Sequence, residues 1–458
     1  MRILKTNSFD DLYRYFRQLF ADLYRYFGHI KQKNVFLQFE INKTIYCDDT
    51  KKSNAFFIVY RLFNMIDLKR LKNRIDWFCA NKINAFSPTI SPAPKSTERN
   101  EIESIYEGVR YFFERGVTEI VVQRKYMGSY CDIYLQKNPD ETYFVSRNGY
   151  LVSHIDLEQA RQACDALYRR FDWANLQTVI IQSEMMPWSA LGQSLIDNEF
   201  GGYLNAHQNH YHHLSQSDLY AKIAAVKQSQ PFREYMDYRG GHTETELKEH
   251  FPAHIVRQYE SLAAFKALDL TDYKKYIDIY AAQLAHFGQT GDVYFKPFNI
   301  YKKVFDDGSE RIVNDNLSYR EINDDECLNL PTGNEEEMNR TVERIYEWFA
   351  QLEAENEEGI VIKPRQAFVK NLPPAFKVRN NKYLVMIYGV DFQSNYAYNF
   401  HKRKITRKLE CSVNDWMLNW DMLNVKYTDI DRENYYLKNL VYDRIMGEQV
   451  EATLDIRL

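Results

Sequence analysis

The sequence lacks any apolar run near the roughly 20 residues that a bilayer-spanning helix requires. Cysteine is sparse. The six residues (47, 79, 131, 164, 327 and 411) include no Cys-x-x-Cys pair, which argues against a disulfide framework or a zinc ribbon. Reduced thiols in a cytoplasmic protein suit that scatter. Neither charge sign is in large excess: 59 Lys and Arg stand against 63 Asp and Glu, a net of -4. A basic coat for nucleic acid is thereby excluded, and any grip on a phosphate backbone must come from local patches. No Gly-x-x-x-x-Gly-Lys-Ser/Thr stretch cradles phosphates, and no Gly-x-Gly-x-x-Gly follows a strand, so a P-loop kinase and an obvious methyltransferase are absent. The first residues, Met1 to Asn7, are followed by no apolar stretch and are not expected to form a secretory leader. What is abundant is aromatic: 35 Tyr and 28 Phe in 458 residues, able to fill cores or stack on bases.

The patterning predicts an α+β fold with antiparallel sheets, a helical insert and a helical C-terminal module. Residues 1–86 form an expected accessory module, whose apolar stripe is read either as a docking surface for a partner or as packing on the module itself. Leu12, Phe16, Leu19, Leu23 and Phe27 recur there at helical spacing behind Ser8, and Asp-Leu-Tyr-Arg-Tyr-Phe occurs at 11–16 and again at 22–27. Strand-like runs follow at Val35–Ile41 and Phe56–Tyr60, and the prolines of Ser87–Pro94 mark an extended joint. The core is expected over 87–200 and 291–390, the insert over 201–290 and the C-terminal module over 391–458. Within the core, strands are predicted at Thr118–Gln123, Cys131–Leu135, Tyr143–Val145, Gln177–Glu184, Val293–Val304, Gly359–Lys363 and Tyr383–Tyr388, and helices over Ile102–Arg115 and around Leu157–Phe171. The acidic runs Asp324–Glu326 and Glu335–Glu337 are expected in loops.

Five short stretches carry chemistry. Lys125-Tyr126-Met127-Gly128-Ser129 places a lysine on a turn between two strands. Glu358-Gly359-Ile360-Val361-Ile362-Lys363 is an acid-glycine turn entering an apolar strand that ends in lysine. Alternation puts Lys377 and Arg379 of Phe376-Lys377-Val378-Arg379 on one face. Arg147 precedes an Asn-Gly turn, and Glu184 closes a strand. A lysine can attack the α-phosphate of a nucleotide and hold it as a phosphoramidate. Its amine is mostly protonated at neutral pH, so cationic neighbours such as Lys377 and Arg379 would favour the neutral form and offset phosphate charge.

In this order the stretches resemble those of the covalent lysyl-nucleotidyltransferases, the polynucleotide ligases and mRNA-capping enzymes. The closest likeness is to the ligase module of bacterial polynucleotide kinase-phosphatase RNA-repair systems. It extends from about residue 85 onward through Ser87–Pro92, Arg115–Thr118, Glu184–Ala190, Tyr388-Gly389 and Asp455–Leu458. The resemblance implies Lys125 as nucleophile, with Lys377 and Arg379 as further catalytic cations. It implies nucleotide contacts by Lys125, Arg147, Glu184 (on the ribose), Phe298 (stacked on adenine, ahead of Phe295), Glu358, Lys363 and Lys377, and Glu358 as support for Mg²⁺ or Mn²⁺. ATP is the implied cofactor, giving AMP bound covalently to Lys125 and a polynucleotide 5′-adenylyltransferase that seals RNA. Arg124 stands where repair ligases carry an acidic residue, and Tyr130 where they carry arginine. The implied partners are RNA, a kinase-phosphatase subunit and a 3′-terminal ribose 2′-O-methyltransferase subunit, in a hetero-oligomer. A GTP-using capping-type enzyme and a silent RNA-binding scaffold are the alternatives. His207, His210, His212 and His213 are expected at a surface or facing RNA rather than on a metal, and the run His401–Lys408 is a candidate RNA contact or a solvated helix face.

Overall fold

The computed structural model describes residues 69–153, 155–190 and 196–447. The Leu12–Phe27 stripe, the expected strands at 35–41 and 56–60, and Asp455–Leu458 lie outside them. A first helix, α1, spans residues 69–80. Then come β1 (Ser91–Pro92), α2 (Ile105–Phe113), β2 (Glu119–Lys125), β3 (Ser129–Gln136), β4 (Tyr143–Ser146), the short α3 (Leu157–Gln162) and α4 (Asp165–Tyr168), and β5 (Leu176–Met186). The insert holds six helices: α5 (Gly202–Gln216), α6 (Leu219–Lys227), α7 (Gln230–Arg239), α8 (Glu244–His250), α9 (Ala253–Ala264) and α10 (Leu270–Phe287). Sheet structure resumes with β6 (Tyr294–Phe305), β7 (Glu310–Ile312), α11 (Tyr319–Ile322), β8 (Cys327–Pro331), α12 (Glu335–Ala354), β9 (Gly359–Pro364) and β10 (Phe376–Arg379). Four helices end the described chain: α13 (Asn381–Tyr388), α14 (Tyr396–Lys402), α15 (Thr406–Leu423) and α16 (Tyr435–Gly447).

The strands make two sheets, ordered β1-β10-β9-β2-β8 and β4-β3-β5-β6-β7. In the first, alternation sends Ile120, Val122, Ile360, Ile362, Phe376 and Val378 against Val109 and Phe112 of α2 and Ile345 and Trp348 of α12. Each such fully buried side chain contributes roughly 1.5–3 kcal/mol. The residues between them, Gln123, Lys125, Lys363 and Lys377, are therefore turned to the opposite face. The second sheet is covered on both sides. Ile133, Leu135 and Ile181 pack with Ala160 and Leu167. Tyr134, Val145 and Tyr301 pack with Phe78, Phe86, Trp416 and Leu437. Residues 75–86 thus share one core with the C-terminal helices.

Two expectations are corrected. Tyr383–Tyr388 is not a strand but most of α13, because Asn380 caps the segment by accepting from the Tyr383 amide at 2.8 Å. A continuous apolar run does not distinguish the two by period. Glu335–Glu337 is not a loop either. It is the first turn of α12, where Asn334 accepts from the Glu337 amide and three carboxylates suit the positive end of the helix dipole.

Candidate active site

Lys125 ends β2, and its register partner on β9 is Gly359, which in turn faces Arg379 of β10. This row explains the glycine. Gly359 has φ +149°, and a Cβ there would lie 2.1 Å from the Val378 carbonyl oxygen. Glu358, just outside the strand, is consequently brought over the row, and its Oε2 accepts from Lys125 Nζ at 2.7 Å. Its side chain is 2% exposed and that of Lys125 21%. Asn380 fixes the same turn from β10, donating from its side chain to the Glu357 carbonyl and from its amide to the Glu358 carbonyl.

The turn after Lys125 is pinned at every residue. Tyr126 is buried, hydrogen-bonds the Tyr319 hydroxyl and donates to Asp325, while Asn323 donates to it. Met127 Sδ accepts from Tyr383 at 3.0 Å. Gly128 passes so close to the end of β5 that a Cβ would meet Met186 Sδ at 2.5 Å and the Met185 carbonyl oxygen at 2.7 Å. The motif's glycine is thus needed for close approach of the turn to the end of β5.

The facing wall comes from the second sheet. Tyr130 pairs with Glu184, and Glu184 with Lys296. Glu184 Oε2 is sealed from water with no hydrogen-bond partner. Desolvation pushes this carboxyl up to about 7, with Lys125 lowering and Glu358 raising it, and the charge of Arg147, on the exposed turn after β4, lowering it further. Lys363 joins the walls: its Nζ donates to Gln123 at 2.6 Å and to the Phe298 carbonyl at 3.4 Å, and lies 5.0 Å from the Phe298 ring centre. Burial brings that amine down to about 7. Phe298 also meets Tyr130 edge-on, whereas Phe295 stacks on Phe144 in the core, so Phe298 is the ring at the cleft. Lys377 shares the Gln123 and Val361 row, its ammonium disfavoured by burial and then by Arg379, Lys125 and Lys408.

Arg379 is held by a residue the sequence did not single out. Glu103, with a fully buried side chain, accepts from the Arg379 amide at 2.9 Å and its Nε at 3.1 Å, and from Arg403 Nη2 at 2.7 Å. Burial would raise this carboxyl, but Arg379 and Arg403 overcome it and bring it down to about 2. Arg403 also bonds the Tyr388 hydroxyl. Part of the His401–Lys408 run therefore lies inside the fold instead of facing RNA or solvent. Arg124 is on the other face of β2 from Lys125 and pairs with Glu357 at 2.9 Å and Glu355 at 3.2 Å, away from the cleft. His207 and His210 both hydrogen-bond the Tyr273 hydroxyl. Among the described residues no group of three or more His, Cys, Asp or Glu is placed to hold a metal ion by itself.

One cleft thus gathers a lysine between two walls, paired with a carboxylate and accompanied by Lys363, Lys377 and Arg379. Residues 79–431 match the family of PNKP adenylyltransferase (ligase) domains, and the chain belongs to it. Two solved structures are similar over 85% of this chain and 99% of theirs: "Structure of the Pnkp1/Rnl/Hen1 RNA repair complex" at 51% identity and TM-score 0.79, and "Structure of Pnkp1/Rnl/Hen1 complex" at 50% and 0.82. No curated protein matches significantly.

Proposed function

We propose that the chain is an ATP-dependent RNA ligase that works through lysyl-AMP. The carrying observation is the convergence of Lys125, Glu358, Glu184, Lys363, Lys377 and Arg379 on one cleft from both sheets. Lys125 Nζ attacks the α-phosphorus of ATP, a P–N bond forms, the bond to the bridging oxygen breaks and pyrophosphate leaves. The adenylyl group then passes to a 5′-phosphate end, and a 3′-hydroxyl displaces AMP to seal the strand. Lys377 and Arg379 offset charge on the phosphoryl group. Phe298 gives the base a face to stack on, and the sealed Glu184 carboxylate is an acceptor in want of donors, as ribose hydroxyls are.

The donor set fits Mg²⁺ or Mn²⁺, which use one or two carboxylates and complete their shell with phosphates and water. Glu358 would hold the ion, which supplies charge neutralisation at the phosphates. Lys125 donates to that carboxylate in the structure, so Glu358 would have to release the lysine in order to hold the ion. We also assign this chain the association with a kinase-phosphatase and a methyltransferase subunit seen for its structural relatives. The five described cysteines are free thiols, consistent with the cytoplasm.

Incubation with α-labelled ATP and Mg²⁺ should leave label that is stable to alkali and released by acid on the wild type, as a P–N bond requires, and none on Lys125→Ala. Label surviving in the variant would sink the assignment, and preferential labelling by GTP would favour the capping reading.

A further inference from the structure

A second feature lies on the far side of the Glu358 turn. A cleft of about 590 Å³ opens between α10 of the insert and the junction of α12 with α13. Lys274, Lys275, Asp278, Ile279 and Gln283 line it from α10, and Asn356 and Lys382 from the core. Thr271 begins and Gln283 ends its α10 wall, a run of about 18 Å at 1.5 Å per residue, so the cleft is a groove rather than a socket. Asn356 lies two residues before Glu358, so the core end of the groove adjoins the catalytic turn.

The chemistry of the lining is uneven. Three ammonium groups face one carboxylate, and that carboxylate is held by Lys274. Lys382 donates to the Glu353 carbonyl and to Asn356, which fixes its position at the core edge. Gln283 supplies the independent sign of a ligand. It is 1% exposed, and neither its Oε1 nor its Nε2 has a hydrogen-bond partner. Leaving a buried amide unpaired at both ends is costly, and native proteins keep such groups chiefly where something else satisfies them. An amide offers a donor and an acceptor together, matching a ribose hydroxyl, which is also both.

We propose that this groove binds the backbone of a single-stranded RNA next to the end being sealed. Lys274 and Lys275 contact its phosphates, Lys382 marks the end nearest Glu358, and Gln283 hydrogen-bonds a ribose 2′-hydroxyl. The assignment rests on the ligase reading, since it gives the strand its destination. It goes beyond that reading by routing the RNA over the insert and by making the insert, rather than the C-terminal basic run, the electrostatic contact.

The test measures binding of a 5′-phosphorylated RNA to the full chain across a salt series, alongside labelling of Lys125. In Lys274→Glu/Lys275→Glu the affinity should fall at least tenfold. Loss of two phosphate contacts should also flatten the slope of log affinity against log salt by about 1.4. Label at Lys125 should stay as in wild type. Charge reversal of Lys222 and Lys248, exposed on α6 and α8, is the control and should change neither quantity. Gln283→Leu should hold or raise the melting temperature while weakening RNA relative to DNA of the same sequence. An unchanged slope in the Lys274/Lys275 variant, equal losses in the control, or unaltered RNA preference in Gln283→Leu overturns the groove. So does a Lys274/Lys275 defect confined to assembly with partner proteins. No label on the wild-type chain would instead strike the ligase reading, a result independent of the RNA arm.

Discussion

Single side chains in the cleft carry opposite electrostatic strains, and pH separates them. The Glu184 carboxyl is raised by desolvation to about 7, so the folded state holds its proton more tightly than the unfolded chain does. Stability from this group is full below the ordinary carboxyl range and is lost as pH rises through about 7. Glu184→Gln should therefore stabilise the protein at pH 8, by on the order of 1–3 kcal/mol in urea denaturation, and flatten the decline between pH 5 and 8. The same variant should label poorly with ATP, trading stability for function. Glu103 behaves in the reverse sense. Its carboxyl is brought down to about 2, so its contribution is present above the ordinary carboxyl range and vanishes as pH falls through about 2. Glu103→Gln leaves Arg379 and Arg403 without their shared anion and should cost about 3–5 kcal/mol at pH 7, measured by denaturant titration. None of this could be read along the chain. Lys125, Glu358, Lys377 and Arg379 were legible because each lies in a short contiguous pattern. Glu103, Arg379 and Arg403 meet only in space, and nothing local marks Glu103 as different from any acid ahead of a helix.

At the level of strands and helices, what the sequence conveyed depended on period and punctuation. β2, β3, β5, β6 and β9 were recognisable from β-branched runs, with ends shifted by no more than two residues. β8 was missed because Cys327–Pro331 has no β-branched or aromatic residue and carries Asn329 and Pro331, which read against a strand. α13 was mistaken because its decisive residue, Asn380, sits outside the apolar run that drew attention. The β9–β10 pairing makes the sharpest prediction. Gly359→Ala would place a methyl group against the Val378 carbonyl, where the nearest atoms are all backbone of Val378 and Arg379 and no flexible side chain can yield. The expected result is a loss of at least ~2 kcal/mol and of labelling together, since Glu358 rides on that residue. A variant that melts like wild type and still labels would show that the strand end can open without disturbing the site.

For the whole molecule, the packing of residues 75–86 decides how the N-terminal region should be dissected. Ile75, Phe78, Ile83 and Phe86 are buried with Trp416 and Leu437, so removal of residues 1–85 would tear the core. Removal of 1–68 keeps α1 and should leave Lys125 labelling and the melting temperature near wild type. If the omitted residues dock a partner, as the apolar stripe suggests, that truncation should weaken co-purification with the kinase-phosphatase subunit. Full recovery of the complex would assign docking to another surface. The same packing has a consequence for synthesis. The face of the second sheet that carries Tyr134 and Val145 is closed by Trp416 and Leu437, which are translated about 270–300 residues later. At ~5–20 residues per second that interval is roughly 15–60 s. During it, a nascent β-sheet stands with one aromatic face uncovered, so newly made chains depend on protection from aggregation at the ribosome until the last helices emerge.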